Sequence, residues 1–141
     1  EMFIIVQNTQ SRKGDSTLQT DYFNYKSSAG LDNLNNLELT FNGEVRIDKD
    51  IADGFYLRNV QPLQCHTRVP KRYIYNYSFA ITPESYEPTG QVNMSRINDV
   101  LFNLELGAAN NQERVVKIYV KNYNVLRIES GLGGVLFNFN G

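Results

Sequence analysis

Apolar residues alternate with polar ones over several stretches of this chain, and this period of two constrains the fold most. In the clearest stretch Leu37, Leu39, Phe41, Val45 and Ile47 hold odd positions, and polar or charged residues hold the even ones. The pattern predicts one strand with a face on the core and a face in water. The glycine in its middle predicts a bulge or a close packing contact.

Similar runs predict a series of short strands with turn residues between them. The predicted strands lie at residues 3–6, 37–47, 55–60, 73–81, 100–106, 116–125 and 135–139. A change of phase at Tyr123 and Val125 predicts a bulge or bend within a long strand. The polar segment 9–36 is long for a loop, and Leu18 to Tyr25 could contain a further strand. Seven strands and no helix of normal length predict an all-β sandwich or barrel.

Composition narrows the classes of function. The chain has 141 residues, which fits a single domain. It contains 9 Tyr and 8 Phe but no Trp, which favours strands. A formal net charge of -1 gives no electrostatic reason to expect nucleic-acid binding. One Cys and one His exclude an internal disulfide, a cysteine zinc cluster and a site of several histidines.

Few residues of the chain fit a catalytic or metal-binding motif. Cys65 and His66 are adjacent, and neighbours on an extended chain point to opposite faces, so the sequence favours an inert thiol and a polar loop histidine. Asp48, Asp50 and Asp53 resemble a calcium loop only weakly, because the twelfth position of such a loop would hold Asn rather than Glu.

Two carboxylates are candidates for a catalytic pair, and two asparagines are candidates for glycosylation. Glu84 and Glu87 lie in a loop bounded by prolines, where solvated carboxylates are a better interpretation than a glycosidase pair. Asn76 and Asn93 each begin an N-glycosylation triplet. Asn76 falls within a predicted strand and is the poorer candidate for a glycan, whereas Asn93 falls in a loop.

Two motifs in the second half of the chain resemble the major capsid proteins of nucleocytoplasmic large DNA viruses. The first is Tyr-Ile-Tyr-Asn-Tyr-Ser-Phe-Ala-Ile-Thr-Pro-Glu at 73–84, continued by Glu-Pro-Thr-Gly-Gln-Val-Asn-Met-Ser-Arg-Ile-Asn at 87–98. The second is 116–134, where Asn-Tyr-Asn precedes a hydrophobic-arginine pair and a glycine turn. The resemblance covers residues 55–139 well and the first 54 poorly.

Three positions in the first motif depart from the usual family pattern. Thr89, Met94 and Asn98 stand where serine, phenylalanine and aspartate are usual. All three are mild changes. They affect the assignment to a virus group more than the assignment to the family.

The resemblance implies a double jelly-roll protein in which each jelly roll packs two four-stranded antiparallel sheets. Residues 1–141 would be the single, second (C-terminal) jelly roll, an eight-stranded sandwich cut from a longer polypeptide. An eighth strand would be lost or would lie within 9–36, and a short helical turn would lie in the 82–96 loop.

The resemblance also implies a structural function and no enzymatic one. Family members form homotrimers, whose pseudo-hexagonal capsomers tile an icosahedral shell above an internal membrane. The expected partners are neighbouring capsomers and minor capsid proteins. The domain would lie near the internal membrane without inserting into it. The expected location is the virion, after assembly in the host cytoplasm. Neither a cofactor nor direct binding of nucleic acid is expected.

The motif after residue 82 supplies the candidate assembly residues. They are Pro88, Gly90, Asn93, Ser95, Arg96 and Asp99. Proline and glycine limit the shapes of the loop, Arg96 and Asp99 could form an ion pair, and the polar members would pin the loop to the sandwich or to a neighbour.

Two other classes of function stay open on the sequence. A carbohydrate-binding jelly roll would stack sugar rings on exposed aromatics such as Tyr22, Tyr25 and Tyr86. An enzyme on a β-sandwich would need converging acids, bases or metal ligands, for which one His and no cross-strand carboxylate pair give little support.

Overall fold

The computed structural model describes residues 1–9, 22–27, 30–107 and 113–137. The elements, in chain order, are β1 (Met2–Asn8), β2 (Leu34–Phe41), β3 (Glu44–Ile47), a π-helical turn (Tyr56–Val60), α1 (Gln61–Cys65), β4 (Tyr75–Tyr77), a 3-10 turn (Met94–Arg96), β5 (Val100–Leu106), β6 (Arg114–Val120), β7 (Leu126–Glu129) and β8 (Leu132–Val135). In the part of the chain that is described, no helix has the length and apolar character needed to cross a membrane.

The eight strands form antiparallel sheets, which confirms the predicted all-β class. Among the described strands, one sheet has the order β4-β1-β6, the second has the order β3-β2-β5, and β7 pairs with β8 alone. The strands are therefore divided three, three and two. The 3-10 turn confirms the short helical turn predicted in the 82–96 loop.

The stretch predicted as one strand over 37–47 is a hairpin of β2 and β3. Asn42 and Gly43 form its turn, with φ of 51° and 84°. Asn-Gly is favoured in two-residue hairpin turns, because both central residues there need positive φ. Gly43 therefore makes a turn rather than a bulge, and Val45, predicted to face the core, is 54% exposed.

The prediction of a strand over 55–60 is wrong, because this segment is helical. The Asp53 carboxylate accepts a hydrogen bond from the Tyr56 amide at 2.6 Å, and the Asp53 carbonyl accepts one from Leu57. Leu57 is fully buried. Pro62 lies in the first turn of α1, where its missing N–H leaves no bond unmade. A capping carboxylate and one buried leucine thus outweigh the short alternation.

The strand predicted over 73–81 is shortened to Tyr75–Tyr77. The Ser78 hydroxyl donates to the Ala80 carbonyl at 2.8 Å and accepts from the Ala80 amide at 3.1 Å. A local serine bond of this kind offers the backbone an alternative to the ladder and ends the strand. Tyr75 and Tyr77 face the core as predicted, whereas Ile81 is 78% exposed.

The C-terminal strands also differ from the predicted pattern. The predicted bend near Tyr123 and Val125 is a break, since β6 ends at Val120 and β7 begins at Leu126. The glycine turn joins β7 to β8, which ends at Val135, and part of the predicted strand 135–139 lies outside the described residues. Most of the possible strand between Leu18 and Tyr25 also lies outside them.

One apolar cluster joins the two three-stranded sheets and the helical segment. Its fully buried members include residues from β1, β2, β4 and the π-helical turn: Met2, Ile4, Val6, Leu37, Leu39, Leu57 and Tyr75. The predicted strands at 3–6 and 100–106 are both present, as β1 and β5. The chain leaves this cluster at the end of β4 and then enters the 82–96 loop.

Candidate assembly loop

The segment between β4 and β5, here called the assembly loop (residues 82–99), closes on itself at its base. The Thr89 hydroxyl accepts a hydrogen bond from the Thr82 amide at 2.9 Å and lies 3.1 Å from the Thr82 hydroxyl. Pro83 is buried beneath the loop, whereas Pro88 is exposed. Tyr86 stands at the tip with its side chain fully in solvent. The loop therefore has a fixed base and an open tip.

Gly90 allows the returning chain to pass close to the main chain that follows β4. Its φ is 151°, in a region that side chains rarely adopt. A Cβ atom at this position would lie 2.6 Å from the Phe79 carbonyl oxygen and 3.2 Å from the Ala80 Cα. The glycine of the assembly motif is thus required by a close backbone approach.

Asn93 and Ser95 form a local cap. The Asn93 side-chain oxygen Oδ1 accepts from the Ser95 amide at 3.1 Å and from the Ser95 hydroxyl at 2.6 Å. This bond satisfies a free N–H at the start of the 3-10 turn, as N-caps do. Both side chains are exposed. They order the loop from within and leave its outer surface free.

Arg96 and Asp99 do not form the ion pair predicted from the sequence. The Asp99 amide donates to the Asn42 side chain at 3.0 Å, and the Asp99 carbonyl accepts from the Asn42 amide at 2.9 Å. The Asn42 side chain also accepts from the Asn98 amide at 3.1 Å. The β2–β3 turn thus holds the end of the assembly loop. Arg96 is exposed, and its guanidinium has no hydrogen bond or ion pair with any residue in the described ranges.

A second anchor, which sequence reasoning missed, holds the start of the loop. His66 Nδ1 lies 3.1 Å from a Glu84 carboxylate oxygen, and His66 Nε2 contacts the Glu1 carboxylate. Lys121 Nζ donates to the Pro83 carbonyl at 3.0 Å and lies 3.9 Å from the Glu1 carboxylate. Glu84 was expected to be a solvated loop carboxylate. No sequence pattern places residues 1, 66, 84 and 121 together.

The pKa values of Glu84, in the anchor, and of the neighbouring Cys65 are both shifted. The hydrogen bond from His66, followed by that from the Thr67 amide, lowers the pKa of Glu84 below its usual value. Burial raises the pKa of the Cys65 thiol, which keeps it neutral and unreactive. His66 contacts carboxylates on both sides, and Cys65 is not among its hydrogen-bond or ion-pair partners.

The other candidate residues occupy structural positions. Asp48 accepts a hydrogen bond from the Asp50 amide at 2.9 Å, and Asp53 caps the π-helical turn. Over the described ranges, no three His, Cys, Asp or Glu side chains are arranged to hold a metal ion. Asn76 is 1% exposed and its amide donates to Glu1 and Met2, which leaves no room for a glycan in the folded chain.

One protein family matches almost the whole chain. The family described as large eukaryotic DNA virus major capsid protein matches residues 1–134. This span includes both motifs on which the resemblance was recognised, and it extends the match through the N-terminal half. The chain is therefore a member of the major capsid protein family of large eukaryotic DNA viruses.

Curated relatives agree with this assignment. A major capsid protein of Chrysochromulina ericina virus is 42% identical over 106 residues, covering 72% of this chain and 18% of the relative. That of Phaeocystis pouchetii virus is 42% identical over 104 residues, covering 72% of this chain and 20% of the relative. The chain thus spans about a fifth of the length of these relatives.

A solved structure supports the fold. The quasi-atomic model of the PBCV-1 virus capsid is similar with a TM-score of 0.66 and 29% identity, covering 80% of this chain and 32% of that chain. A crystal structure of PBCV-1 VP54, fitted into a reconstruction of the virophage Sputnik, matches with a TM-score of 0.65. The antiparallel strands are therefore those of the jelly-roll capsid fold.

Proposed function

We propose that this chain forms part of a viral capsid shell, as the C-terminal jelly roll of a major capsid protein. The protein forms homotrimers, and the resulting pseudo-hexagonal capsomers tile an icosahedral shell. The observation that carries the proposal is the assembly loop. Its base, its Gly90 passage and its Asn93 cap are fixed internally, while Tyr86 and Arg96 project into solvent. A loop ordered before contact loses little entropy when it binds a neighbour.

The proposed location and partners follow from that role. The protein is in the virion after assembly in the host cytoplasm, and it contacts neighbouring capsomers and minor capsid proteins. The internal membrane lies beneath the shell and is not entered by this domain. A net charge of -1 offers no attraction to nucleic acid, and no cofactor or enzymatic step is part of the proposal.

Arg96→Ala is expected to weaken the assembly of capsomers and leave folding unchanged. The guanidinium is exposed and has no partner among the described residues, so its loss should change the free energy of unfolding by less than about 0.5 kcal/mol. An arginine buried in an interface often contributes about 2 kcal/mol. Trimer and shell formation are measured on the complete polypeptide by solution mass and negative-stain imaging.

Arg68→Ala is the matched control, because Arg68 is also exposed and lies outside the assembly loop. It removes the same charge and should assemble normally. If Arg96→Ala forms trimers and shells at the wild-type concentration, the assembly role of this residue is wrong. If the wild-type polypeptide is a monomer without a pseudo-hexagonal outline, the capsomer proposal itself fails.

The open side of the sandwich supports the further proposal that residues 1–141 are one segment of a longer polypeptide. Residues paired across antiparallel strands share a face of the sheet. Met2 pairs with Val120, and Ile4 pairs with Ile118. Met2 and Ile4 are fully buried, yet Val120 is 61% exposed and Ile118 is 37% exposed. The core face of this sheet therefore continues onto β6, where none of the described residues covers it fully.

Each three-stranded sheet has free edges among the described strands. Of the described strands, β6 pairs only with β1, and β5 pairs only with β2. Unpaired edges with apolar neighbours are sites for the addition of another strand. One strand beside β5 and one beside β6 would give two four-stranded sheets, and a wider opposite sheet would cover the exposed end of β6. We propose that polypeptide outside residues 1–141 supplies these strands.

Val120→Ala tests this completion of the sandwich. In the complete polypeptide the substitution is expected to lower the free energy of unfolding by about 2 kcal/mol, because a covered valine would leave a cavity. Urea unfolding measures the change. Val45→Ala is the control, since Val45 is 54% exposed on β3. A loss of under about 0.5 kcal/mol for Val120→Ala would show that this side stays open.

The carbohydrate-binding alternative rests on exposed tyrosines. Tyr22 is 54% exposed and Tyr86 is fully exposed, whereas Tyr25 is half-buried. A glycan-binding assay of the complete polypeptide, with Tyr86→Ala beside it, separates this alternative from the shell role.

A further inference from the structure

His66 lies between two carboxylates that come from distant parts of the chain. Its Nε2 contacts the Glu1 carboxylate, at the start of β1, and its Nδ1 lies 3.1 Å from Glu84 in the assembly loop. The His66 side chain is 14% exposed and that of Glu1 is 3% exposed. The Thr67 amide lies 3.3 Å from each Glu84 oxygen. The Thr67 hydroxyl also donates to Glu84 at 3.4 Å. The end of α1 therefore binds Glu84 through the His66 ring and through the amide and hydroxyl of Thr67.

The chemistry of imidazole makes this contact depend on protonation. A carboxylate accepts hydrogen bonds and donates none, and a neutral imidazole has one N–H and one lone pair. Only the imidazolium form donates from both nitrogens. The Nδ1 contact with Glu84 is a hydrogen bond, whereas the Nε2 contact with Glu1 is an ion pair. In the neutral form the ring no longer attracts either carboxylate by its charge, and Nδ1 donates to Glu84 in only one of the two tautomers.

The charged and titratable groups that face His66 are few among the described residues. Glu1 directly precedes β1, Glu84 lies in the assembly loop, and Lys121 directly follows β6. Lys121 neutralises part of the charge on Glu1 and holds Pro83 by its carbonyl. Cys65, on α1, carries no charge because burial raises its pKa. The two carboxylates therefore outnumber the one lysine around the ring.

We propose that His66 is a pH-dependent latch, which holds the base of the assembly loop in mild acid and releases Glu84 when the imidazolium loses its proton. Loss of the ring proton weakens the contact with Glu84, so release occurs as the pH rises. In strong acid the latch also opens, for a different reason. The contact lowers the pKa of Glu84, so the stability that Glu84 contributes is lost as the pH falls through that lowered value.

Hydrogen exchange of peptides covering 82–87, in the complete polypeptide, tests the latch. Protection factors are corrected for the intrinsic effect of pH and compared at pH 6 and pH 8. In the wild type we expect protection to fall about fivefold as the pH rises, which is the size of one partly exposed ion pair. His66→Gln and Glu84→Gln should both lose this dependence, because neither variant can form the charged contact.

Glu87→Gln is the matched control. It removes a carboxylate from the same loop, and Glu87 has no side-chain bond with any described residue, so the wild-type dependence should persist. Equal protection of the wild type at both pH values would overturn the latch. The latch is also wrong if His66→Gln keeps the wild-type profile. If His66→Gln does not fold, the wild type and Glu84→Gln suffice, since Glu84→Gln leaves the contact between His66 and Glu1 intact.

Discussion

Replacing Tyr75 with phenylalanine is expected to lower the free energy of unfolding by about 3 kcal/mol, although the change removes only one oxygen atom. The Tyr75 hydroxyl accepts from the Asn33 amide at 3.0 Å and from the Leu34 amide at 3.2 Å. It donates to the Asp32 carboxylate at 3.1 Å. Urea unfolding of the complete polypeptide measures the difference.

The large effect follows from burial of the two backbone donors. Tyr75 and Asn33 are 0% exposed, and Leu34 is 1% exposed. A buried donor that loses its acceptor costs about 1–3 kcal/mol. Asp32 suffers less, because Arg58 still donates to both of its oxygens at 2.8 and 3.1 Å. Burial raises the pKa of the Tyr75 phenol above its ordinary value, so the hydroxyl keeps its proton during the measurement.

Tyr73→Phe is the matched control for this substitution. The Tyr73 hydroxyl makes one exposed bond to the Gly30 carbonyl at 3.2 Å. Its ring contacts with Arg58 and Lys26 persist in phenylalanine. We expect a loss of about 0.5 kcal/mol. Equal effects at the two tyrosines would contradict the assigned role of the Tyr75 hydroxyl.

Leu39→Ala is expected to lower the free energy of unfolding by about 3 kcal/mol, because it leaves a cavity at the centre of the core. Leu39 is fully buried in β2 and lies opposite Ile47 on one side and Phe102 on the other. Both neighbouring strands hold the backbone of β2 in place, which limits collapse around the missing atoms. The shift in the urea midpoint, at constant slope, reports the loss.

Leu101→Ala provides the comparison within the same sheet. Leu101 lies in β5 opposite Thr40 and is 48% exposed. The same atoms are removed, so the difference between the two variants measures burial alone. We expect less than about 1 kcal/mol for Leu101. A loss at Leu101 as large as that at Leu39 would mean that the outer face of β5 is covered by further polypeptide.

The assembly loop was only partly predictable. Asn93, Ser95 and Gly90 were identified from the motif, and each has a local role that nearby residues explain. The partners of the loop were not identified. Asn42 binds the far end of the loop, and His66 binds its start, from positions 57 and 18 residues away in the chain. Contacts across such separations depend on how the elements pack.

Two predictions of local structure were wrong because the apolar period alone did not distinguish the possible elements. The 37–47 alternation continues through an Asn-Gly turn, so the period alone did not reveal the hairpin, although the dipeptide itself is a hairpin signal. The 55–60 segment has too few residues for its period to distinguish strand from helix. There the Asp53 cap and the burial of Leu57 decided the outcome.

The sequence by itself determined the all-β class, most of the strand positions and the capsid family, because alternation and motif spacing are local properties that survive without coordinates. Only the tertiary structure decided that the described residues leave the apolar face of β6 exposed, since Val120 and Ile118 alternate like buried residues and are exposed nonetheless. It also decided that one histidine joins two carboxylates to the assembly loop. Both depend on which segments meet in space, and that is set by the packing of sheets rather than by neighbours in the chain.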